Sequence, residues 1–412
     1  MVLRSFRLAN HSSFRDEHEL LLMPALPGDD RAVVPAAAIY GANASGKSNL
    51  LDGLWQMRGA VVGPLVLGAG DRDFFLLDDA GATRPSVYVV EIIAEGIRYT
   101  YGFSVDDEQV LEEWLYAYPE KRKRVIFERQ DGEVRFGSTV ADLKGKFAAL
   151  EELIRRDTLF LGVCDRLELG PLMPVYRWFE HGLRIRTRTA SRSVREVGDR
   201  VGAFIRRSPD NARKLSSLLA AADVGITDVL VEQVEGPLPV RRWSRPPSPQ
   251  GGAPRQTHWV LKLRHGPGAE PFDLYAESAG TLNWLELLPT VLEVLDRGQA
   301  FVVDEIDTSL HPMLTAKLVG LFQTPETNPN AAQLIFTTHD TSLLGTMLGD
   351  QVLDRDQIWF VEKGAEGASQ LYPLTDFKPR KEQNTERRYL AGSYGAVPVL
   401  ADSSFADAVL GK

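Results

Sequence analysis

The chain has 412 residues, a formal net charge of -9, 44% hydrophobic and 25% charged residues. These values suit a folded globular protein with a large core and two or three structural units, and they exclude a fibrous or wholly disordered chain. The acidic balance also excludes a surface uniformly basic enough to coat nucleic acid, though not a local basic patch.

The opening MVLRSFRLANHSSF lacks the apolar core of a signal peptide, and the most apolar stretches, 32–42 and 59–70, are too short to span a bilayer. The expectation is a cytoplasmic protein without membrane contact. Cys164, the single cysteine, cannot close an intramolecular disulfide, and seven scattered histidines offer no Cys/His spacing for zinc. Residues 1–40 alternate apolar and polar positions and end in the apolar run Val33 to Tyr40, which predicts strands leading into a glycine-rich turn and a helix from about Gly46. Residues 87–105, β-branched and aromatic with a turn near Glu95 and Gly96, predict an antiparallel hairpin of an accessory sheet.

From about 140 to 222 the periodicity turns helical, as in ALEELIRRDTLFLG, SVREVGDRVGAFIRR and NARKLSSLLAAA, without the heptads of a long coiled coil. Six prolines and four arginines in residues 237–256 predict a surface loop. Beyond it come a strand near His258 to Arg264, a helix near Leu282 to Asp296, a strand at Ala300 to Val303, a helix after Pro312 and a strand at Gln333 to Thr337. Strands alternating with helices imply a mainly parallel sheet. The expected division is an N-terminal lobe at 1–139, an inserted helical arm at 140–236, the Pro/Arg-rich loop at 237–256, and a C-terminal lobe at 257–412.

Gly41-Ala-Asn-Ala-Ser-Gly-Lys-Ser48 matches the phosphate-loop pattern G-x-x-x-x-G-K-[ST] between a strand and a helix. Such a loop wraps backbone N–H groups of Asn43, Ala44, Ser45, Gly46 and their neighbours around phosphate, with Asn49 in the same turn. Lys47 reaches the β and γ phosphates of ATP, and Ser48 ligates magnesium. The strand Ala300 to Val303 ends in Asp304 and Glu305, a Walker B arrangement in which Asp304 serves the magnesium shell and Glu305 polarises the attacking water. His339 follows the next apolar strand, where a histidine can report the γ-phosphate. Glu277-Ser278-Ala279-Gly280-Thr281 opens the helix before Walker B; Ser278, Gly280 and Thr281 are candidate donors to a γ-phosphate, although the same residues suit an ordinary helix cap.

Together these elements resemble the ABC-type ATPases related to the SMC and RecF proteins, and more closely the AAA-type abortive-infection ATPases of bacterial phage defence. The resemblance rests on Asn10-His-Ser-Ser-Phe14, GANASGKSN, the hairpin ending YGF, ESAGT, DEIDTSLHP, TTHDTSLL, QIWFVEK and RRYLAGSYGAVP. It implies an α/β fold, a P-loop NTPase of the ABC ATPase type with an accessory antiparallel sheet and an inserted helical subdomain. It also implies a head-to-head homodimer with two ATP molecules between the phosphate loop of one copy and the signature of the other, and Ser309-Leu-His-Pro312 as the loop crossing that interface. The signature departs from the LSGGQ form of transporters, with Thr281 in place of Gln.

The expected function is a nucleotide-gated switch in antiviral defence that controls a separate effector, a nuclease or toxin. A DNA-repair or DNA-loading ATPase is the alternative, motivated by Lys121-Arg-Lys-Arg124 and by Arg184, Arg186, Arg188, Arg192 and Arg195 as phosphate contacts. A nuclease in its own right, drawing on Lys378 to Lys381 with Arg387 and Arg388, is the third reading, against which stands the lack of a carboxylate cluster or nucleophile triad in the sequence.

Overall fold

The computed structural model describes residues 1–63, 72–143, 145, 154–163, 170–187, 193–222, 225–235, 257–349, 351–380, 383–398 and 409–410. The Pro/Arg-rich stretch 237–256, Cys164, Arg188, Arg192 and Lys381 lie outside them. The chain divides into two compact units, the first made of Met1–Thr187, Val294–Ile306 and Ala316–Lys412, the second of Arg188–Glu293 and Asp307–Thr315.

The first unit holds two sheets. Strands β1 (Val2–Ala9), β2 (His18–Leu21), β4 (Ser86–Ala94), β5 (Ile97–Val105), β6 (Val110–Tyr118), β7 (Arg124–Gln130) and β8 (Glu133–Phe136) form an antiparallel sheet ordered β2-β1-β4-β5-β6-β7-β8. The expected hairpin is β4–β5, and Glu95 (φ 52) and Gly96 (φ 77) both turn left-handed at its tip, the twist a two-residue hairpin turn needs.

The second sheet runs in the order β16-β15-β3-β14-β13-β9. Its strands are β3 (Ala36–Tyr40), β9 (Leu183–Arg186), β13 (Ala300–Val303), β14 (Gln333–Thr337), β15 (Ile358–Lys363) and β16 (Ser369–Pro373). All its pairings are parallel except β15 with β16. Strands β3, β13 and β14 are buried along their whole length, as parallel strands covered on both faces are, and this is why they read as unbroken apolar runs. Helix α1 (Lys47–Val62) follows β3 and contributes Leu50, Leu51, Leu54 and Met57 to a core shared with Ala37 and Ile39 of β3 and Tyr88, Tyr101 and Phe103 of the antiparallel sheet.

Within 140–236, the stretch expected to be a helical arm, the structure differs in part. Residues 154–159 are not helical; α2 (Phe160–Val163) and α3 (Met173–Arg177) are short and belong to the first unit. Residues Leu183–Arg186 form β9, paired in parallel with β13. The alternation Leu-Arg-Ile-Arg is strand periodicity, which the arginines disguised as a basic stripe.

The second unit carries α4 (Val194–Arg207), α5 (Pro209–Ala221) and a sheet of β10 (Ile226–Glu235), β11 (Thr257–His265) and β12 (Phe272–Asp273). Ser193 and Glu196 form a capping box at the start of α4, and Ser208 caps α5. Helices α6 (Ala279–Arg297) and α7 (Pro312–Gln323) follow, and α8 (Thr385–Leu390) lies near the C-terminus. Among the described residues no helix is long and apolar enough to cross a membrane.

Candidate functional site

In the first unit, residues 41–48 connect β3 to α1. Gly46 precedes the helix with φ 114, and no side chain caps the helix and no acidic residue occupies its first turn. The first N–H groups of such a helix have no intrahelical partner and carry the positive end of the dipole, so a sixteen-residue helix left without a cap presents an anion site. Ala44 is left-handed (φ 61) although it is not glycine, a conformation costing about 1–2 kcal/mol. Asn43, Ala44 and Ser48 are exposed, whereas Ser45, Gly46 and Lys47 are buried. The Lys47 ammonium donates to the carbonyls of Gly41 (2.9 Å) and Ala42 (3.0 Å). Ser45 Oγ is buried with no partner among the described residues. Asn49, expected at the nucleotide, turns its amide to Ser13 Oγ (2.7 Å).

The Asp304 carboxylate and the Glu305 backbone, after β13, join this loop through a continuous set of hydrogen bonds. Ser48 Oγ donates to Asp304 Oδ2 (2.8 Å), Thr337 Oγ1 donates to Asp304 Oδ1 (2.6 Å), and the Glu305 N–H donates to Thr337 Oγ1 (2.7 Å). Glu305 is left-handed, φ 50. The Ile306 N–H also binds the Thr337 carbonyl (3.1 Å), so β14 holds this strained turn from two sides. His339 is exposed two residues beyond Thr337. Its loop is fixed by Asp340, whose carbonyl accepts from Tyr40 Oη (3.1 Å) and whose N–H donates to Thr338 Oγ1 (3.0 Å).

These residues fit a magnesium nucleotide. A hydroxyl and a carboxylate 2.8 Å apart supply two hard oxygen ligands, and magnesium is commonly held by one or two protein oxygens with water and phosphate completing its shell. The uncapped helix and the unpartnered Ser45 hydroxyl supply donors for phosphate oxygens.

Thr337 was not among the residues singled out from sequence, although a hydroxyl ending an apolar run was a usable signal. Replacing it by valine keeps the shape and leaves Asp304 Oδ1 and the Glu305 N–H without this partner. ATP turnover is expected to fall about tenfold in Thr337→Val and to persist in Thr337→Ser. Equal turnover in the two variants would rule the hydroxyl out.

In the second unit, Ser278 Oγ accepts from the Thr281 N–H (3.1 Å) and shares a hydrogen bond with Thr281 Oγ1 (2.9 Å), so Ser278 caps its own helix while remaining exposed. Gly280 lies against the loop after Walker B: a Cβ added there would stand 2.7 Å from the Ser309 carbonyl oxygen. One turn on, Asn283 Nδ2 donates to the Thr308 carbonyl (2.6 Å). The signature segment and the loop 307–312 are thus built as one piece, with Ser309 left-handed (φ 61). Asn283, three residues after Gly280 on the same helix face, was missed in the sequence.

Of the arginines expected to contact phosphates, Arg188 and Arg192 lie outside the described residues and the other three fall in different units. Arg184 and Arg186 lie on β9, where Arg58 is pushed below its ordinary value by burial and by Arg184, and Arg195 pairs with Asp199 (3.6 Å) on α4 of the other unit.

Residues 36–345 match the family model described as "AAA domain, putative AbiEii toxin, Type IV TA system". A comparison with curated proteins found no match. Among solved structures, the SMC head domain from Thermotoga maritima aligns at 16% identity and a TM-score of 0.42, covering 90% of this chain and 99% of that one. An SmcHead bound to the C-winged helix domain of ScpA aligns at 14% and 0.46, covering 92% and 99%. An Smc head domain with an extended coiled coil, bound to the C-terminal domain of ScpA derived from Pyrococcus furiosus, aligns at 13% and 0.42, covering 91% and 97%. The family match takes in the phosphate loop, the signature segment, Walker B and His339, and on it the chain belongs to the P-loop ATPase family described as AAA domain, putative AbiEii toxin, Type IV TA system.

Proposed function

We propose that this chain is an ATP-binding and ATP-hydrolysing switch that dimerises around ATP and controls a separate effector in antiphage defence. The observation that carries the reading is the hydrogen-bonded set Ser48, Asp304, Thr337 and Glu305, which ties the phosphate loop to the Asp304 carboxylate and, through Thr337, to the backbone of Glu305. Lys47 and the N–H groups from Asn43 to Ser48 would hold the phosphates. Ser48 and Asp304 would hold magnesium, which neutralises charge that develops on the phosphate oxygens. Glu305 would orient water and take its proton, and His339 would contact the γ-phosphate. Ser278, Gly280 and Thr281 would close the site of a second copy, so that ATP is buried in a homodimer.

The family's description, "putative AbiEii toxin, Type IV TA system", supports a growth-arresting defence pair in which the ATPase restrains or releases a nuclease or toxin. The test is the Glu305→Gln variant. It retains the phosphate-binding groups and should accumulate as a dimer in ATP but not in ADP; a variant that stays monomeric, with turnover unchanged, refutes the site.

A second reading, an ATPase that binds DNA, is favoured by the turn between β6 and β7. Lys121, Arg122, Lys123 and Arg124 are all exposed there, and Glu120 (φ 54) and Lys121 (φ 64) are successively left-handed. Lys123 Nζ lies 3.5 Å from the centroid of the Tyr116 ring, and the Arg98 guanidinium lies 3.9 Å from that of Tyr118. If this turn contacts phosphates, replacing the four cations by alanine will flatten the salt dependence of duplex binding by about 3–4 in log–log slope. An unaltered slope removes the turn from consideration.

A further inference from the structure

The phosphate loop is gripped from outside by side chains far away in sequence. Ser13 lies in the turn between β1 and β2, and Ser369 begins β16 at the far edge of the parallel sheet. The Ser369 N–H donates to the Ser13 carbonyl (2.7 Å), so the two segments are joined through their backbones. Their hydroxyls are 2.7 Å apart, Ser369 Oγ is 2.5 Å from the Ser45 carbonyl oxygen, and Asn49 Nδ2 is 2.7 Å from Ser13 Oγ. All four residues belong to the first unit.

Proton counting gives these contacts a direction. A carbonyl oxygen only accepts, so the one hydroxyl hydrogen of Ser369 goes to Ser45. The hydrogen between the two serines must then come from Ser13, and Ser13 in turn accepts from the Asn49 amide. The series runs Asn49 to Ser13 to Ser369 to the Ser45 carbonyl, with each hydroxyl donating once and accepting once. Ser369 is fully buried, and an unmade bond there carries a desolvation cost that water does not relieve.

The series ends on the peptide between Ser45 and Gly46. In a trans peptide the carbonyl and the N–H point in opposite directions, so anchoring the Ser45 carbonyl on Ser369 aims the Gly46 N–H away from the brace. Gly46 is the only residue that fits: its φ is 114, and a Cβ would collide with Ser369 Oγ and stand 2.6 Å from Ser13 Oγ. We infer that Ser13 and Ser369 are positioning residues for nucleotide binding, a hydroxyl brace that holds the Ser45–Gly46 peptide in its phosphate-binding orientation, with Asn49 supplying the first hydrogen rather than touching nucleotide. The inference rests on the proposed ATP site.

The experiment measures affinity for ATP and for ADP, and the melting temperature without nucleotide, in the full chain and in Ser13→Ala, Ser13→Thr, Ser369→Ala and Lys47→Ala. Loss of the brace is expected to weaken both nucleotides about tenfold in Ser13→Ala and Ser369→Ala, with melting little changed in Ser13→Ala and affinity restored in Ser13→Thr. Should Ser369→Ala fail to fold, the half-buried Ser13 pair carries the test. Unchanged affinity in Ser13→Ala, or an affinity loss that Ser13→Thr does not restore, overturns the brace. Lys47→Ala separates the two ideas: if it alone loses nucleotide the site stands and the brace falls, and if it binds normally the site itself is wrong.

Discussion

ATP turnover by Glu305→Gln is expected to fall by about 10²–10³-fold, the share of a positioned general base, while ATP affinity changes little. The side chain is held by the backbone: the Glu305 N–H is fixed on Thr337 Oγ1 and the Ile306 N–H on the Thr337 carbonyl. A left-handed residue at this point costs about 1–2 kcal/mol, and the two bonds from β14 retain it. Glutamine keeps the shape of glutamate and can still orient water, but it cannot accept the proton. The phosphate loop, Ser48 and Asp304 are untouched, so nucleotide should bind and stay.

The mass of the variant supplies the second half of the result. With hydrolysis blocked, an ATP-closed homodimer should persist in magnesium-ATP and dissociate in magnesium-ADP. Lys47→Ala, which lacks the ammonium now donating to Gly41 and Ala42, should neither bind nor dimerise. Turnover within about twofold of wild type would remove Glu305 from the chemistry. A monomer that retains ATP would keep the hydrolytic reading and discard the composite site.

What the sequence showed, and what it hid, follows from the range of each interaction. The phosphate loop and the Asp304-Glu305 pair were legible because local periodicity marks the strands, and glycine and paired carboxylates mark their C-terminal ends. Strands β3, β13 and β14 read correctly as buried runs for the same reason. Strand β9 was hidden: four residues of Leu-Arg-Ile-Arg are too few for a strand period to outweigh the helical segments around them, and its partner β13 lies more than a hundred residues away. The Ser13–Ser369 contact joins residues 356 apart, and nothing in either local sequence points to the other. Asn49 shows a second contact hidden by distance in sequence. Its place beside Ser48 suggested a nucleotide contact, whereas its amide hydrogen bonds to Ser13.

The largest stability effect is expected in the antiparallel sheet, at a group no motif marked. Glu113 on β6 is fully buried, and its carboxylate accepts from the N–H groups of Phe160 (2.6 Å) and Leu161 (2.9 Å) and from Tyr101 Oη (2.9 Å), with Arg129 3.8 Å away. Arg129 also donates to the carbonyls of Thr158 (2.6 Å) and Arg155 (3.2 Å), so the pair staples residues 155–161 to the sheet. Glu113→Gln would turn an NH₂ group toward these donors and loosen the contact with Arg129, which is expected to cost about 1–3 kcal/mol in denaturant unfolding.

Burial pushes the Glu113 carboxyl above its ordinary 4.5, against the opposing pull of Leu161, Phe160, Arg129 and Tyr101. A raised carboxyl binds its proton more tightly in the folded chain, so its contribution is complete below 4.5 and declines as pH rises through the folded value. The stability gap between wild type and Glu113→Gln should therefore be widest in mild acid and narrow as pH rises from 4.5. A gap that widens over that range would mean that the four donors outweigh burial and that the site stabilises the anion.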